Sequence, residues 1–275
     1  MSPSSYAFDG PDADVILRAP LQPGSDEFKD FRVHKLILSI ASTVFRDTFS
    51  IPQPPPPTSE DTSLDVVQIT ESAEVVETFL QLTYPIDPPV IADLQLLDDL
   101  LQLADKYIAG GVITKLKKLL VTPAFLNDDP IRVYALACRN GFEEETKVAV
   151  QHTFSIDVVR QISEEHIRMM PTKTYHRLLT EHAIRQDLLV DAVDVTWVRL
   201  QPFFRRTGCS CFDGLKGSIL LGISQKPFLD RDLLDTCFAA AGRRPPCAGA
   251  SLCIQHPEYG STFLSSVMRG VQNIM

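Results

Sequence analysis

The stretch FRVHKLILSIASTVFRDTF, Phe31 to Phe49, limits the fold more than any other part of the chain. It begins with the alternating β-type pattern of a strand and passes through His34 and Lys35 into a helical pattern. There Ile37, Ile40, Ala41, Val44, Phe45 and Phe49 recur at steps of three and four, which assigns them to one side of a helical segment and predicts a buried stripe. Each large member of such a stripe contributes about 1.5 to 3 kcal/mol on leaving water. Ser42 and Thr43 interrupt the stripe with hydroxyls that accept from free backbone amides, so a second helix starts there. The segment therefore reads as a strand running into two short core helices.

Its flanks extend the pattern. ADVILRA (Ala13 to Ala19) and FKDFRVH (Phe28 to His34) are rich in β-branched and aromatic residues and enclose PLQPGSDE, a Pro- and Gly-marked turn, so a hairpin is expected. DVVQI (Asp65 to Ile69) is a third strand. Between them, SIPQPPPPTSEDTS cannot be helix or central strand, because consecutive prolines remove amide donors and fix an extended backbone. It is expected to be a surface loop. Three helical stripes follow in ESAEVVETFLQLTY, DLQLLDDLLQLADKYI and GVITKLKKLLV, the second placing Leu97, Leu100, Leu101, Ala104 and Ile108 on one face.

Composition excludes several classes. The 275 residues, 44% hydrophobic, can fill one large core or two ordinary ones. The net charge of -9 repels a phosphate backbone, and the short basic runs at Lys115 to Lys118, Arg205-Arg206 and Arg243-Arg244 read as solvated faces, so no nucleic-acid partner is expected. The acidic amino terminus lacks a basic and then apolar leader pattern, and no apolar run approaches membrane-spanning length. The expectation is an intracellular chain, cytoplasmic or nuclear, with no membrane partner and with reduced cysteines.

DADVILRA, the opening stretch, FLQLTYPIDPP and LLQLADKYIAGGVITKLKKLL follow one another in an order that resembles the BTB/POZ domain, from about Asp12 to Val121. The wording is also similar to BTB proteins of mushroom-forming fungi. The resemblance implies an α+β fold, a small mixed sheet flanked by helices, over residues 12–126. It implies that the helical hairpin lies beside a dimer surface and that Asp14 and Lys35 form a partly buried charge pair at the floor of a pocket there. The interaction surface it implies comprises Asp14, His34, Lys35, Phe45, Tyr84 and Tyr107. Self-associating members place an extra helix before the first strand. Here the preceding residues include Pro3, Gly10 and Pro11 without amphipathic period, so residues 1–11 are expected to be a disordered N-terminus and a homodimer is left open.

Beyond the first unit, Asp129 before Pro130 is a helix start and Asn140-Gly141 a helix stop, which predicts two antiparallel helices. They are similar to the start of the BACK-like helical extension found after BTB domains, here residues 127–200. In the helical stretch to Val198, Leu178, Leu179, Ala183, Leu188, Leu189, Ala192 and Trp197 form the expected core stripe. His166, His176 and His182 lie nearby, but no HExxH, GxSxG, Walker-type loop or GxGxxG occurs, and no nucleophile has a visible base, so no enzyme is expected.

Residues 201–275 hold five of the six cysteines and eight of the thirteen glycines. A small Cys/Gly-containing unit is expected there. Cys209, Cys211, Cys253 and His256 are the candidate zinc ligands, against ordinary buried thiols. The reading that follows is a protein-interaction adaptor without cofactor, whose resemblance implies a cullin scaffold as partner and a role as substrate receptor of a ubiquitin ligase. The alternatives are a self-associating or regulatory scaffold and a zinc-dependent hydrolase.

Overall fold

The computed structural model describes residues 7–51, 64–206 and 211–229, with single positions at 233, 236–237, 265–266 and 269. The chain divides into two compact units, residues 1–128 and 129–275.

The first unit is built on a mixed sheet. β1 (Val15–Pro20) pairs antiparallel with β2 (Phe28–Val33), Val15 opposite Val33 and Pro20 opposite Phe28, while β3 (Asp65–Gln68) runs parallel to β1 with Val15 opposite Asp65. β1 is thus central, and its Val15, Leu17 and Ala19 are buried. Around the sheet lie α1 (Lys35–Ala41), α2 (Thr43–Ser50), α3 (Ala73–Thr83), α4 (Leu94–Lys106), α5 (Gly110–Leu120) and α6 (Pro123–Asp128). The α1–α2 break falls at Ser42, whose extended backbone ends one helix while its Oγ accepts the Phe45 N–H at 3.1 Å to begin the next. α4 begins where Asp93 accepts the amides of Gln95 and Leu96, and it buries Leu97, Leu100, Leu101 and Ala104.

Three expectations for this unit need correction. Ile40 is 79% exposed, as is Leu36 at 71%, whereas Leu38 is fully buried. In a two-turn helix that is apolar on nearly every side, the elements packed against it, α2, α3 and α5, decide which face is covered, and Leu38 is on that face. Ile108 leaves the core stripe of α4 because the helix ends at Lys106. The residues from 7 to 11 are part of the fold, since Phe8 is buried against Phe31 and Tyr84. The proline-rich segment at residues 52–63 lies outside the described residues.

The second unit is helical: α7 (Pro130–Arg139), α8 (Glu143–Thr153), α9 (Val158–Gln161), α10 (Glu164–Met169), α11 (Thr172–Arg206) and α12 (Cys211–Gln225). Asp129 Oδ1 accepts the Arg132 N–H at 2.9 Å with Pro130 in the first turn of α7, and Gly141 takes a positive φ of 68° after the helix. α11 runs through Pro202, so the boundary expected at residue 200/201 falls inside a helix. Its buried side carries Leu178, Leu189, Ala192, Val193 and Trp197, while Ala183 and Leu188 face water.

The histidines of this unit are held by local partners. His166 accepts the Ser163 N–H at Nδ1 (3.1 Å), which leaves Nε2–H to donate to Asp129 Oδ2 (2.9 Å). Thr153 Oγ1 donates to the Val150 carbonyl, so it receives the Nε2–H of His182 at 2.9 Å. Burial drives the His182 imidazole down to about 4, so the ring is neutral at pH 7. His176 is exposed.

Candidate interaction surface

The strand-to-helix junction at His34 is tied down by its neighbours. The His34 N–H donates to Tyr84 Oη at 2.8 Å, and that hydroxyl, having accepted, can donate its own proton to Nδ1 at 3.1 Å. Nε2–H then donates to Asp12 Oδ2 at 3.1 Å, and this bond holds the Asp12 carboxyl below the usual carboxylate range. Tyr84 is buried, with Phe8 edge-on at 5.1 Å. The Phe8 carbonyl accepts the Arg32 N–H of β2 at 2.8 Å, so the leading segment covers an amide on the outer edge of the sheet.

Lys35 opens α1. Its backbone N–H, one of the free amides of the first turn, donates to Asp14 Oδ1 at 2.7 Å. Its Nζ turns away to Asp65 Oδ2 at 2.6 Å, the two side chains being 33% and 53% exposed. The expected Asp14–Lys35 charge pair is therefore replaced by a cap and a separate surface ion pair, and Asp14 is exposed. The parallel pairing of β1 with β3 brings Asp65 opposite Val15, next to Asp14, which sequence separation concealed.

Phe45 and Tyr107 belong to the interior. Their rings stack at 4.5 Å with 2° between planes, and both are buried. Ser42 Oγ donates to the Tyr107 carbonyl, so one buried hydroxyl joins the α1–α2 break to the end of α4. Burial pushes the Tyr107 hydroxyl up. Both rings are covered by the first unit itself. The expected set thus separates into a supporting layer, Phe45, Tyr84 and Tyr107, and a surface layer, Asp14, His34 and Lys35.

What the surface layer borders is an apolar face that sequence reasoning misplaced. Leu36 and Ile40, four residues apart on α1, project together into water. The signal was available in the run Lys35 to Ala41, which has more apolar residues than one helix face can bury. On another side of the unit, an open cleft of about 440 Å³ is lined by Thr70, Glu71, Asp99, Gln102 and Lys106. Its Lys106 Nζ is held by Glu71 at 2.7 Å and Thr70 at 2.9 Å.

Among the described residues, no group of three or more His, Cys, Asp or Glu is placed to hold a metal ion. Cys209, Cys253, His256 and the side chain of Cys211 lie outside the described residues. No helix among the described residues is long and apolar enough to cross a membrane.

Comparison with protein families agrees with the sheet and the helices that follow it. Residues 21–124 match the BTB/POZ domain family. Such domains are protein-interaction modules that also mediate dimerisation and are generally non-catalytic. No curated protein matches the chain.

Proposed function

We propose that this chain is a non-enzymatic adaptor whose BTB/POZ unit binds a cullin scaffold, while the helical unit, serving as a BACK-like extension of the fungal type, presents a substrate for ubiquitin transfer. The observation that carries the adaptor reading is the outward pair Leu36 and Ile40 on α1, large apolar side chains left in water beside the ion pair of Lys35 and Asp65 on a packed interaction domain. The cullin reading rests on the BTB/POZ domain at residues 21–124.

The same face favours one alternative, pairing of two copies, because an apolar patch on a two-fold axis covers itself. Co-purification of cullin with the tagged full chain, together with solution mass by light scattering, separates the two. Leu36→Glu with Ile40→Glu is expected to abolish cullin capture and leave the mass unchanged. A mass that falls from two chains to one, with cullin never captured, replaces the adaptor reading by the self-associating scaffold.

A further inference from the structure

Helix α11 is apolar on two opposite sides. One side is buried in its own unit, from Leu178 to Trp197. On the other, Ile184, Leu188, Val195 and Val198 stand in water, between 41% exposed at Leu188 and 69% at Val198. Single exposed aliphatics are ordinary on a soluble protein, but these four form a row.

With Asp191 included, the row advances by 4, 3, 4 and 3 residues, the seam spacing of a two-stranded coiled coil. At 3.6 residues per turn its members fall within an arc of about 80°, and at 1.5 Å per residue the row is about 21 Å long. Asp187 flanks the seam one position before Leu188. Asp187 and Asp191 are both exposed, and neither has an ion-pair partner among the described residues.

These charges choose the occupant. Two copies paired through this row, parallel or antiparallel about its centre, bring Asp191 against Asp191 in a seam that excludes water, where like charges repel strongly. A helix carrying a cation at that position replaces the repulsion by a charge-assisted hydrogen bond. We propose that the outer face of α11 receives an amphipathic helix of a partner protein, apolar at seam spacing and basic opposite Asp187 and Asp191. The inference rests on the adaptor reading for its purpose and names the partner chemistry of the second unit; it does not depend on the cullin contact.

Two synthetic helical peptides of about three heptads test it, both with Leu at the seam positions. One carries Lys opposite Asp191 and along its flanks, the other Glu. Anisotropy titrations use the full chain. The basic peptide is expected to bind at least about tenfold tighter than the acidic one, Leu188→Glu and Val195→Glu are each expected to weaken it by roughly tenfold, and Asp191→Lys is expected to shift preference toward the acidic peptide.

General attraction between a basic peptide and this acidic chain is strengthened by Leu188→Glu, so a loss on that substitution comes from the apolar row. If either variant loses helicity by circular dichroism, Val198→Glu takes its place. Equal affinity for the two peptides, affinity for neither, or binding indifferent to these substitutions overturns the proposal. So does a doubled solution mass that Leu188→Glu reduces to one chain, which assigns the face to a second copy. Cullin capture by Leu188→Glu is expected to equal that of the parent chain; a parent chain that captures no cullin while the peptide results hold refutes the cullin reading alone.

Discussion

Helices α4 and α7 end in the same turn built from different residues. After α7, Gly141 N–H bonds the Cys138 carbonyl and Phe142 N–H the Ala137 carbonyl, with Gly141 at φ 68°. After α4, Ile108 N–H bonds the Asp105 carbonyl and Ala109 N–H the Ala104 carbonyl, with Ile108 at φ 51°. Both are the double-bonded helix terminus that calls for a left-handed residue, which glycine adopts freely and a β-branched residue only under strain. The glycine turn uses a residue that takes this φ without strain. The isoleucine turn adjoins Tyr107, which Phe45 stacks upon and Ser42 bonds. One terminus is held by its own residue, the other by tertiary packing that overrides an unfavourable residue.

The largest way to break this contrast is to remove the packing. Phe45→Ala leaves a cavity beneath Tyr107 and is expected to cost about 3 to 5 kcal/mol in the first unit. Urea unfolding followed by far-ultraviolet circular dichroism measures it. Trp197, the one tryptophan of the chain, is buried in the second unit and supplies an independent signal there. Its fluorescence transition is expected to move less than the dichroic one; coincident shifts of equal size would show that the two termini belong to one cooperative structure.

The glycine-ended unit has its own liability in His182. The ring is packed at 5.1 Å from Phe154, over which Arg185 also places its guanidinium at 5.4 Å. The imidazole ordinarily titrates near 6.5, but burial holds it at about 4 in the folded chain. The unfolded chain therefore binds the proton first. The stability contributed by neutral His182 is complete above pH 6.5, declines as pH falls toward 4, and changes no further below that. Allowing for partial solvent screening, the loss is on the order of 2 kcal/mol. His182→Gln is expected to flatten that slope in the Trp197 signal, and an unchanged slope would assign the acid sensitivity to other groups.

Legibility in the sequence divides along the same line. Asn140-Gly141, Asp129-Pro130 and Ser42-Thr43 each state their structure within a few residues, and the hairpin and third strand are marked by β-branched runs and turn residues. Ile108 and Ile40 were misplaced because periodicity assumes that a helix continues and that it has one wet face. α4 stops two residues before Ile108, and α1 is too short and too apolar for its pattern to select a side. Phe45 against Tyr107 and Lys35 against Asp65 are fixed by contacts that cross the fold, which no local spacing reports. The supporting and surface layers of the candidate site could be named together from the sequence but not told apart.

Exchanging the two turn residues sharpens the comparison directly. A Cβ at Gly141 meets no atom within 4 Å, so Gly141→Ile tests the backbone conformation with little steric interference and is expected to destabilise by about 1 to 2 kcal/mol. Ile108→Gly removes a side chain that is 60% exposed and relieves the strained φ, with an expected gain of up to about 1 kcal/mol after the greater entropy of glycine in the unfolded chain is counted. Opposite signs in paired denaturation curves are the required outcome. A loss at both positions would mean that the Ile108 side chain contributes packing which outweighs its strain.

The smallest expected effect concerns helix starts, where the same opposition returns. Asp129 caps α7 from the adjoining residue, whereas Asp14 reaches the first amide of α1 across 21 residues of sequence. Lys35→Ala keeps that amide and removes only the exposed pair with Asp65, so it is expected to cost at most about 0.5 kcal/mol. Asp14→Ala removes the acceptor and is expected to cost about 1 kcal/mol, while Asp14→Asn retains an acceptor oxygen and costs less. A double-mutant cycle between Asp14 and Lys35 should then give a coupling near zero, and one between Lys35 and Asp65 a few tenths of a kcal/mol. A coupling of about 1 kcal/mol or more between Asp14 and Lys35 would restore the direct charge pair and leave α1 without its distant cap.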